Sequence, residues 1–384
     1  MRRDHVPTST VNHRRDILRA ALAATSAAAL APLLTACRQR TDESPPVTLY
    51  TSVDAGVLTP LLASITQRAA LRALLVTDTE ATKTTGLVQR VLAERAAPAA
   101  DLWWSSEILG TLTLARAGLL EPLTSPEVTL VYGNLPPGLR DTKNRWFPIA
   151  LRPRVLVFNT AVATAAPRTL AQLAAEPVSD NPKPIAIANP AFGTTKGHLA
   201  ALWAMQGRDA TSAWLDSIRW RMVDSNSAVV RAVAQGECDL GLTDEDDVYA
   251  GQAQGWPVDR HFIPFSLDPA TPNNAPVLMI PGTVALIANG PLSRAATSNT
   301  PSPRAQAAAA LPARLMETIL TSGTELALAT SPWRSRPVLA TPGDAAAQPD
   351  PRLMALAIAA VDWDRAHDVA AEAITAADPI LRRA

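Results

Sequence analysis

From Val47 onward the chain repeats one local pattern: a short β-prone run, a polar turn, then an amphipathic helix. Val47-Thr48-Leu49-Tyr50 ends in the turn Thr51 to Asp54, after which Val57, Leu58, Leu61, Leu62 and Ile65 mark one helical face. Leu74-Leu75-Val76 precedes a helix carrying Leu87, Val88, Val91 and Leu92. Asp101-Leu102-Trp103-Trp104 precedes another, which runs to Ala117 and stops at Gly118. Strands that alternate with helices in this way predict an α/β fold, a mostly parallel sheet with helices on its faces.

The rhythm restarts after the strong strand Arg154-Val155-Leu156-Val157-Phe158. Ile185-Ala186-Ile187-Ala188 leads into a helix from about Thr195. Ile218 to Val223 leads into a helix holding Val229, Val230 and Val233, which stops at Gly236, and a further strand ends at Thr243. A chain of this length exceeds what one hydrophobic core usually serves, so two lobes are expected. The apolar runs Val277 to Ile280 and Thr283 to Ile287 follow, the second returning the chain to the first lobe, and two crossings make a hinge. The expected boundaries are 47–155 together with 284–384 for lobe 1, and 156–283 for lobe 2. Residues from Asn289 to Pro312 are rich in Ala, Ser, Pro and Thr and suit a flexible surface insertion. The helices near Leu315 to Leu320 and around Trp363 are expected to pack on the first lobe.

Residues 1–36 form an address. His13-Arg14-Arg15-Asp16-Ile17-Leu18-Arg19 is close to the twin-arginine pattern, and an Ala/Leu-rich run follows to Ala36, too short and too abruptly ended for a membrane span. It closes on Leu34-Thr35-Ala36-Cys37, which resembles the bacterial lipobox. Cys37 would be diacylated, become the mature N-terminus and tether the protein to a membrane surface, with 37–46 as a polar tether. An ordinary secretory peptide with a chance cysteine is the alternative. Either way the expected location is periplasmic or otherwise extracytoplasmic.

Residues 37–384 carry 30 basic and 33 acidic side chains, and no basic stripe interleaved with aromatics, so no nucleic-acid partner is expected. Cys238 is the only other cysteine, which leaves neither an internal disulfide nor a cysteine zinc cluster; it suits a small buried position beside Asp239-Leu240-Gly241-Leu242. The chain shows no Gly-x-Ser-x-Gly elbow, no His-Glu-x-x-His and no glycine-rich nucleotide loop in a strand-to-helix setting. The expectation is a binding protein and not an enzyme. An enzyme of the same fold and a sensory or structural lipoprotein are the alternatives from other classes.

Seven stretches, in order, resemble the ferric-iron-binding branch of the bacterial extracellular solute-binding proteins, which serve ATP-driven importers. They are Leu49 to Asp54, Ala100 to Glu107, Ala117 to Leu120, Arg154 to Thr160, Asn189 to Thr195, Asn226 to Val233 and Gly241 to Asp244. The resemblance covers nearly the whole mature sequence. It implies a two-lobed type II periplasmic-binding fold, each lobe a mixed, mostly parallel sheet flanked by helices, hinged at the middle and closing on a small ligand. It also implies an ABC permease and ATPase as partners, and a monomer.

Gly193-Thr194-Thr195 lies between a predicted strand and a helix start, so bare amides and two hydroxyls at the positive end of the helix dipole make an anion site. An ordinary cap by Thr194 or Thr195 fits the same residues without a ligand. The resemblance implies that this loop and Asn226 hold a phosphate-like anion that completes the coordination of a metal. Typical members carry two adjacent tyrosines after the Gly-Leu strand. Here those positions read Asp246-Asp247, within Asp244-Glu245-Asp246-Asp247, and only Tyr249 survives.

Ligands after the first and third strands would fall at Asp54 and at Ser106 or Glu107. Asp54, Glu107, Asp246 and Asp247 are therefore the candidate metal ligands, an oxygen-rich set suited to Fe³⁺, Mn²⁺, Ca²⁺ or Mg²⁺. Ser52, Ser106, Gly193, Thr194, Thr195, Asn226, Arg154 and Tyr249 are the candidates around the anion. No resident cofactor is implied; ferric iron or another hard cation, with phosphate or carbonate, is the cargo. Without a cation the carboxylates would repel and hold the lobes apart, so binding would drive closure. Two alternatives remain: a solvated acidic loop with Asp244 as N-cap, or acids that meet the amine of a small zwitterion such as an aminophosphonate. His198 is expected to pack or face solvent, since no second histidine stands at i+4. Arg152 and Arg154 suit a surface ion pair, with reach to an anionic ligand as the alternative. Trp103 and Trp104 are expected to divide between core and cleft wall, because strand neighbours face opposite sides.

Overall fold

The computed structural model describes residues 44–77, 85–162, 169–175, 182–339 and 351–383. The leader, Cys37 and most of the tether lie outside the described residues. Ten strands form the sheet: β1 (Val47–Thr51), β2 (Ala73–Thr77), β3 (Leu102–Ser105), β4 (Leu120–Glu121), β5 (Phe147–Asn159), β6 (Ile185–Ala188), β7 (Trp220–Val223), β8 (Leu240–Asp244), β9 (Val258–His261) and β10 (Met279–Ile287). Their order is β2-β1-β3-β10-β5-β8-β6-β7, with β4 on β10 and β9 on β5. Neighbours are parallel among β1, β2 and β3 and among β6, β7 and β8, as helix crossovers require; β5 and β10 run antiparallel to their partners.

β5 is the common spine. Its first half pairs with β10, placing Ile280 opposite Arg152, and its second half pairs with β8, placing Asp244 opposite Arg154. The two apolar runs expected around residue 280 are one strand with a register shift between Gly282 and Thr283. The backbone is closely packed there: a Cβ on Gly282 would lie 3.1 Å from the Trp333 ring and 3.3 Å from the Ser105 carbonyl oxygen, so any larger residue would have to push one of them aside.

The helices are α1 (Ala55–Ala69), α2 (Thr85–Ala93), α3 (Ile108–Arg116), α4 (Pro126–Tyr132), α5 (Leu170–Ala175), α6 (Gly193–Gln206), α7 (Arg208–Asp216), α8 (Asn226–Ala234), α9 (Glu245–Ala253), α10 (Pro291–Ala296), α11 (Pro303–Ala308), α12 (Leu311–Ile319), α13 (Ser322–Thr330), α14 (Pro351–Ala355) and α15 (Trp363–Leu381). The periodic residues face inward as read: Val57, Leu58, Leu62 and Ile65 of α1, Leu87, Val88 and Val91 of α2, and Val229, Val230 and Val233 of α8 are buried. Each such side chain contributes roughly 1.5–3 kcal/mol. The supposed flexible insertion carries α10 and α11. α12 and α13 pack on α1 as expected, but α15 lies chiefly on α6 and α7. Its buried face, Trp363, Ala366, Ala370, Ala373, Ala377 and Leu381, is mostly alanine, and small side chains let helices approach closely.

Trp103 and Trp104 do face opposite sides of the sheet, but both are fully buried in separate cores. Cys238 is buried as expected, and burial pushes its thiol up to about 11. His198, on α6, is buried and meets Phe265 edge-on at 5.5 Å; neither ring nitrogen has a hydrogen-bond partner among the described residues. Burial, and then Arg154, hold its pKa well below the ordinary imidazole value, against a smaller opposing pull from Asp244. A histidine that stays neutral when folded and protonates when unfolded removes stability as pH falls below about 6.5, by about 1.4 kcal/mol per pH unit. Urea unfolding is expected to show this loss between pH 7 and 5.5, and His198→Leu to flatten it; an identical slope in the variant would rule His198 out as the cause.

Candidate ligand cleft

The carboxyl ends of β1, β3, β6, β7 and β8 converge on one cavity of about 80 Å³, at the place where open α/β sheets take their ligands. Each of these strands runs into a helix, so five helix N-termini surround the cavity, represented in its lining by Asp54, Ser106, Gly193, Asn226 and Asp246. The positive ends of five macrodipoles therefore meet there. Gly193 opens α6 at φ +57°, a conformation that favours glycine, and the N-cap residue Phe192 offers no side-chain cap to the first amides. Thr194 and Thr195 do not cap the helix. The Thr194 hydroxyl donates to Asp244 Oδ2 at 2.6 Å and accepts from Asn226 Nδ2 at 2.9 Å. Across the cavity Ser52 Oγ lies 3.2 Å from Ser106 Oγ and accepts from the Ser106 amide at 3.0 Å.

Beside the amides lies a charge network. Asp244 is fully buried; Oδ1 accepts from Arg154 Nη1 at 2.7 Å, and Oδ2 accepts from Asn226 Nδ2 at 2.9 Å and lies 3.0 Å from Arg152 Nη2. Burial pushes this carboxyl up, but Arg152 and Arg154 outweigh it and hold it below the usual range. Asp246 accepts from Arg152 Nη2 through both oxygens, at 3.0 and 2.8 Å. Burial pushes Asp246 up to about 6; Arg152 opposes the rise, while Asp244 and Asp54 add to it. Arg152 stays firmly charged: burial acts against the cation, but the surrounding aspartates prevail. Asp244, Asp246 and Asp247 can each present one oxygen within 4.8 Å of the others. Four carboxylates, Asp54 included, thus surround the two guanidiniums and Asp224 adds a fifth to the lining, leaving the site negative overall beneath a ring of positive helix ends.

No protein-family model matches the chain. An Fe(3+)-binding periplasmic protein of Serratia marcescens is 28% identical over 160 residues, 41% of this chain and 45% of the relative, so the match spans less than half of the relative's length. Likeness over the whole body is seen in solved structures. Iron-bound HitA of Pseudomonas aeruginosa has a TM-score of 0.66 at 19% identity, and the ferric binding protein of Bordetella 0.64 at 20%. Trichodesmium IdiA (FutA) in complex with iron and citrate has 0.65 at 18%. Each covers 88% of this chain and 99% of its own. This is the type II solute-binding fold.

The type II fold accounts for the long strands β5 and β10 that join the two halves of the sheet, and for a cavity lined from both halves. Of the candidate residues, Ser52, Asp54, Ser106, Gly193, Thr194, Thr195, Asn226, Asp246 and Asp247 all line it. Three do not. Glu107 is the N-cap of α3: its oxygens accept from the Leu109 amide at 2.6 Å and the Gly110 amide at 2.8 Å, and it is buried away from the cavity. Its assignment as a metal ligand is corrected accordingly. Glu107→Ala is expected to cost about 1–2 kcal/mol of stability and to leave ligand affinity unchanged in a calorimetric titration. Tyr249 also lies off the cavity; its hydroxyl accepts from Arg260, and the guanidiniums of Arg260 and Arg334 stand 4.2 and 4.8 Å from its ring. Arg154 sits behind the wall, bound to Asp244, Thr194 and Asn226.

Arg152 reverses the expectation of a surface ion pair. It is buried and lines the cavity, with its guanidinium 5.5 Å from the Trp333 ring. Trp333 and Phe192 are the aromatic lining that Trp103 and Trp104 do not supply. Trp333 arrives from the loop after α13, fixed by the bridge between Leu151 and Arg336, and no local pattern in the sequence marks it. Asp224, Ser225 and Ser227 were also missed; they belong to the start of α8, whose part in the cavity Asn226 already signalled.

Proposed function

We infer that the protein is the ligand-capturing component of an ATP-driven importer, and that it takes a hard cation, ferric iron foremost, together with a small oxyanion. The observation that carries this reading is the placement of Asp54, Asp246 and Asp247 in one cavity with the uncapped start of α6. Oxygen-only donors suit a hard cation, and bare helix amides suit an oxyanion. The names of the relatives support the same cargo, since one is Fe(3+)-binding and two of the solved neighbours hold iron, one with citrate. Export through the leader, acylation at Cys37, a periplasmic or extracytoplasmic place, a permease and an ATPase as partners, a monomeric state and lobes at 47–155 with 284–384 and at 156–283 belong to the same proposal. Among the described residues no helix is long and apolar enough to cross a membrane.

Elemental analysis and calorimetric titration of residues 37–384 with ferric nitrilotriacetate, manganese(II) and calcium, each with and without phosphate, test this reading. One-to-one binding of a cation, without turnover, is expected. Failure of every cation under both conditions would sink it. A second reading, a small zwitterion such as an aminophosphonate, is favoured by one observation: Asp246 already accepts an N–H cation, that of Arg152, where phenolates would serve iron. Binding of the aminophosphonate alone would select it. Cation affinity is also expected to fall as pH drops below about 6, because Asp246 takes up a proton there. A flat profile from pH 7 to 5 would exclude Asp246 as a ligand.

A further inference from the structure

We propose that Arg152 is a resident cation that holds the place of the incoming one, and that the anion opens the site by drawing this guanidinium away. The proposal rests on the cation-and-anion reading above and concerns a residue which that reading leaves without a role. Arg152 stands where β5 leaves β10 and joins β8, two residues before the Arg154 and Asp244 pairing. Its Nη2 alone serves both oxygens of Asp246, at 3.0 and 2.8 Å, and Asp244 Oδ2, at 3.0 Å. A cation approaching Asp54, Asp246 and Asp247 therefore meets a positive charge already seated on Asp246.

Displacing that guanidinium from Asp246 removes a buried partner and leaves it only Asp244, which Arg154 already holds, so the displacement is opposed unless a new anion receives it. An oxyanion at the start of α6 removes the obstacle. Asp244 Oδ2 lies 3.0 Å from Arg152 Nη2 and 2.6 Å from the Thr194 hydroxyl, so a single carboxylate oxygen separates the guanidinium from the anion loop. The planar fork of arginine pairs with a tetrahedral or planar oxyanion through two parallel hydrogen bonds. Arg154 does not serve in this way, since its Nη1 is held by Asp244, Thr194 and Asn226 and it stands outside the cavity lining. Cation and anion then bind with positive coupling, and by linkage each raises the affinity of the other by the same factor.

The test is a titration of residues 37–384, R152Q and R152K with manganese(II) and with ferric nitrilotriacetate, in the presence and absence of inorganic phosphate. In the native protein phosphate is expected to raise cation affinity by about tenfold or more. R152Q is expected to bind the cation about tenfold tighter without phosphate, and to lose nearly all of the phosphate effect. If R152Q does not fold, R152K decides: its ammonium cannot pair through a planar fork, so the phosphate effect must shrink. A phosphate effect of native size in the variant that folds, or cation affinity lost in a folded R152Q, overturns the proposal and leaves the importer reading standing. Cation binding by none of the three proteins, with or without phosphate, overturns the importer reading and this inference with it.

Discussion

Arg154→Met is expected to lower the free energy of unfolding by about 3–5 kcal/mol, because it leaves a buried carboxylate without its in-register partner. Asp244 is completely buried and Arg154 is 3% exposed. The two stand opposite each other on β8 and β5 and bond at 2.7 Å. Removing the guanidinium leaves Asp244 with Arg152, Thr194 and Asn226, and all three also line the ligand cavity. The loss of stability should therefore come with a weakened anion site. Replacing both members, as Arg154→Met with Asp244→Leu, should recover part of the stability, because no charge is then stranded. Urea unfolding of the three proteins measures this. A loss below about 1 kcal/mol in Arg154→Met would mean that Arg152 alone satisfies Asp244, an exposed-pair magnitude that burial argues against.

The parts of this protein that could be read from its residues are those that depend on local pattern. The strand, turn and helix rhythm from Val47 and again from Ile185 gave the α/β class, because helical and strand periodicities differ too much to be confused over such lengths. Seven stretches of four to eight residues carried the family likeness, and nine of the candidate residues line the cavity, because they lie at strand ends that the topology gathers in one place. What depends on pairing across the chain was not legible. Arg152 and Arg154 are i and i+2 on one strand and read as one pair. The switch of partner from β10 to β8 between them puts one in the cavity and the other behind its wall. Glu107 reads as a carboxylate near the right place, but a residue just before a helix has amides closer than any ligand, and α3 takes both of its oxygens. Trp333 is brought in by a contact between residues nearly two hundred positions apart, Leu151 and Arg336, and nothing in its neighbourhood announces it.

Asp247→Asn is the substitution that isolates the cation half of the site, and it is expected to weaken cation binding about a hundredfold, or about 2.8 kcal/mol. Asparagine keeps the shape and one oxygen of the ligand while removing its charge. Asp246→Asn should also weaken binding, but it frees Arg152 from its bidentate contact, so two effects of opposite sign combine there. Asp54→Asn adds the test of geometry. Asp54 opens α1, at the end of β1, whereas Asp247 lies in the first turn of α9, after β8, so the two acids come from opposite halves of the sheet. A cation that bridges them must draw the halves together. Its loss at either residue should abolish both the tight binding and the ligand-induced decrease in radius of gyration measured by solution scattering. If Asp54→Asn left affinity and compaction as they are while Asp247→Asn removed them, the cation would be held from one side only, and closure would have to be driven by the anion at α6.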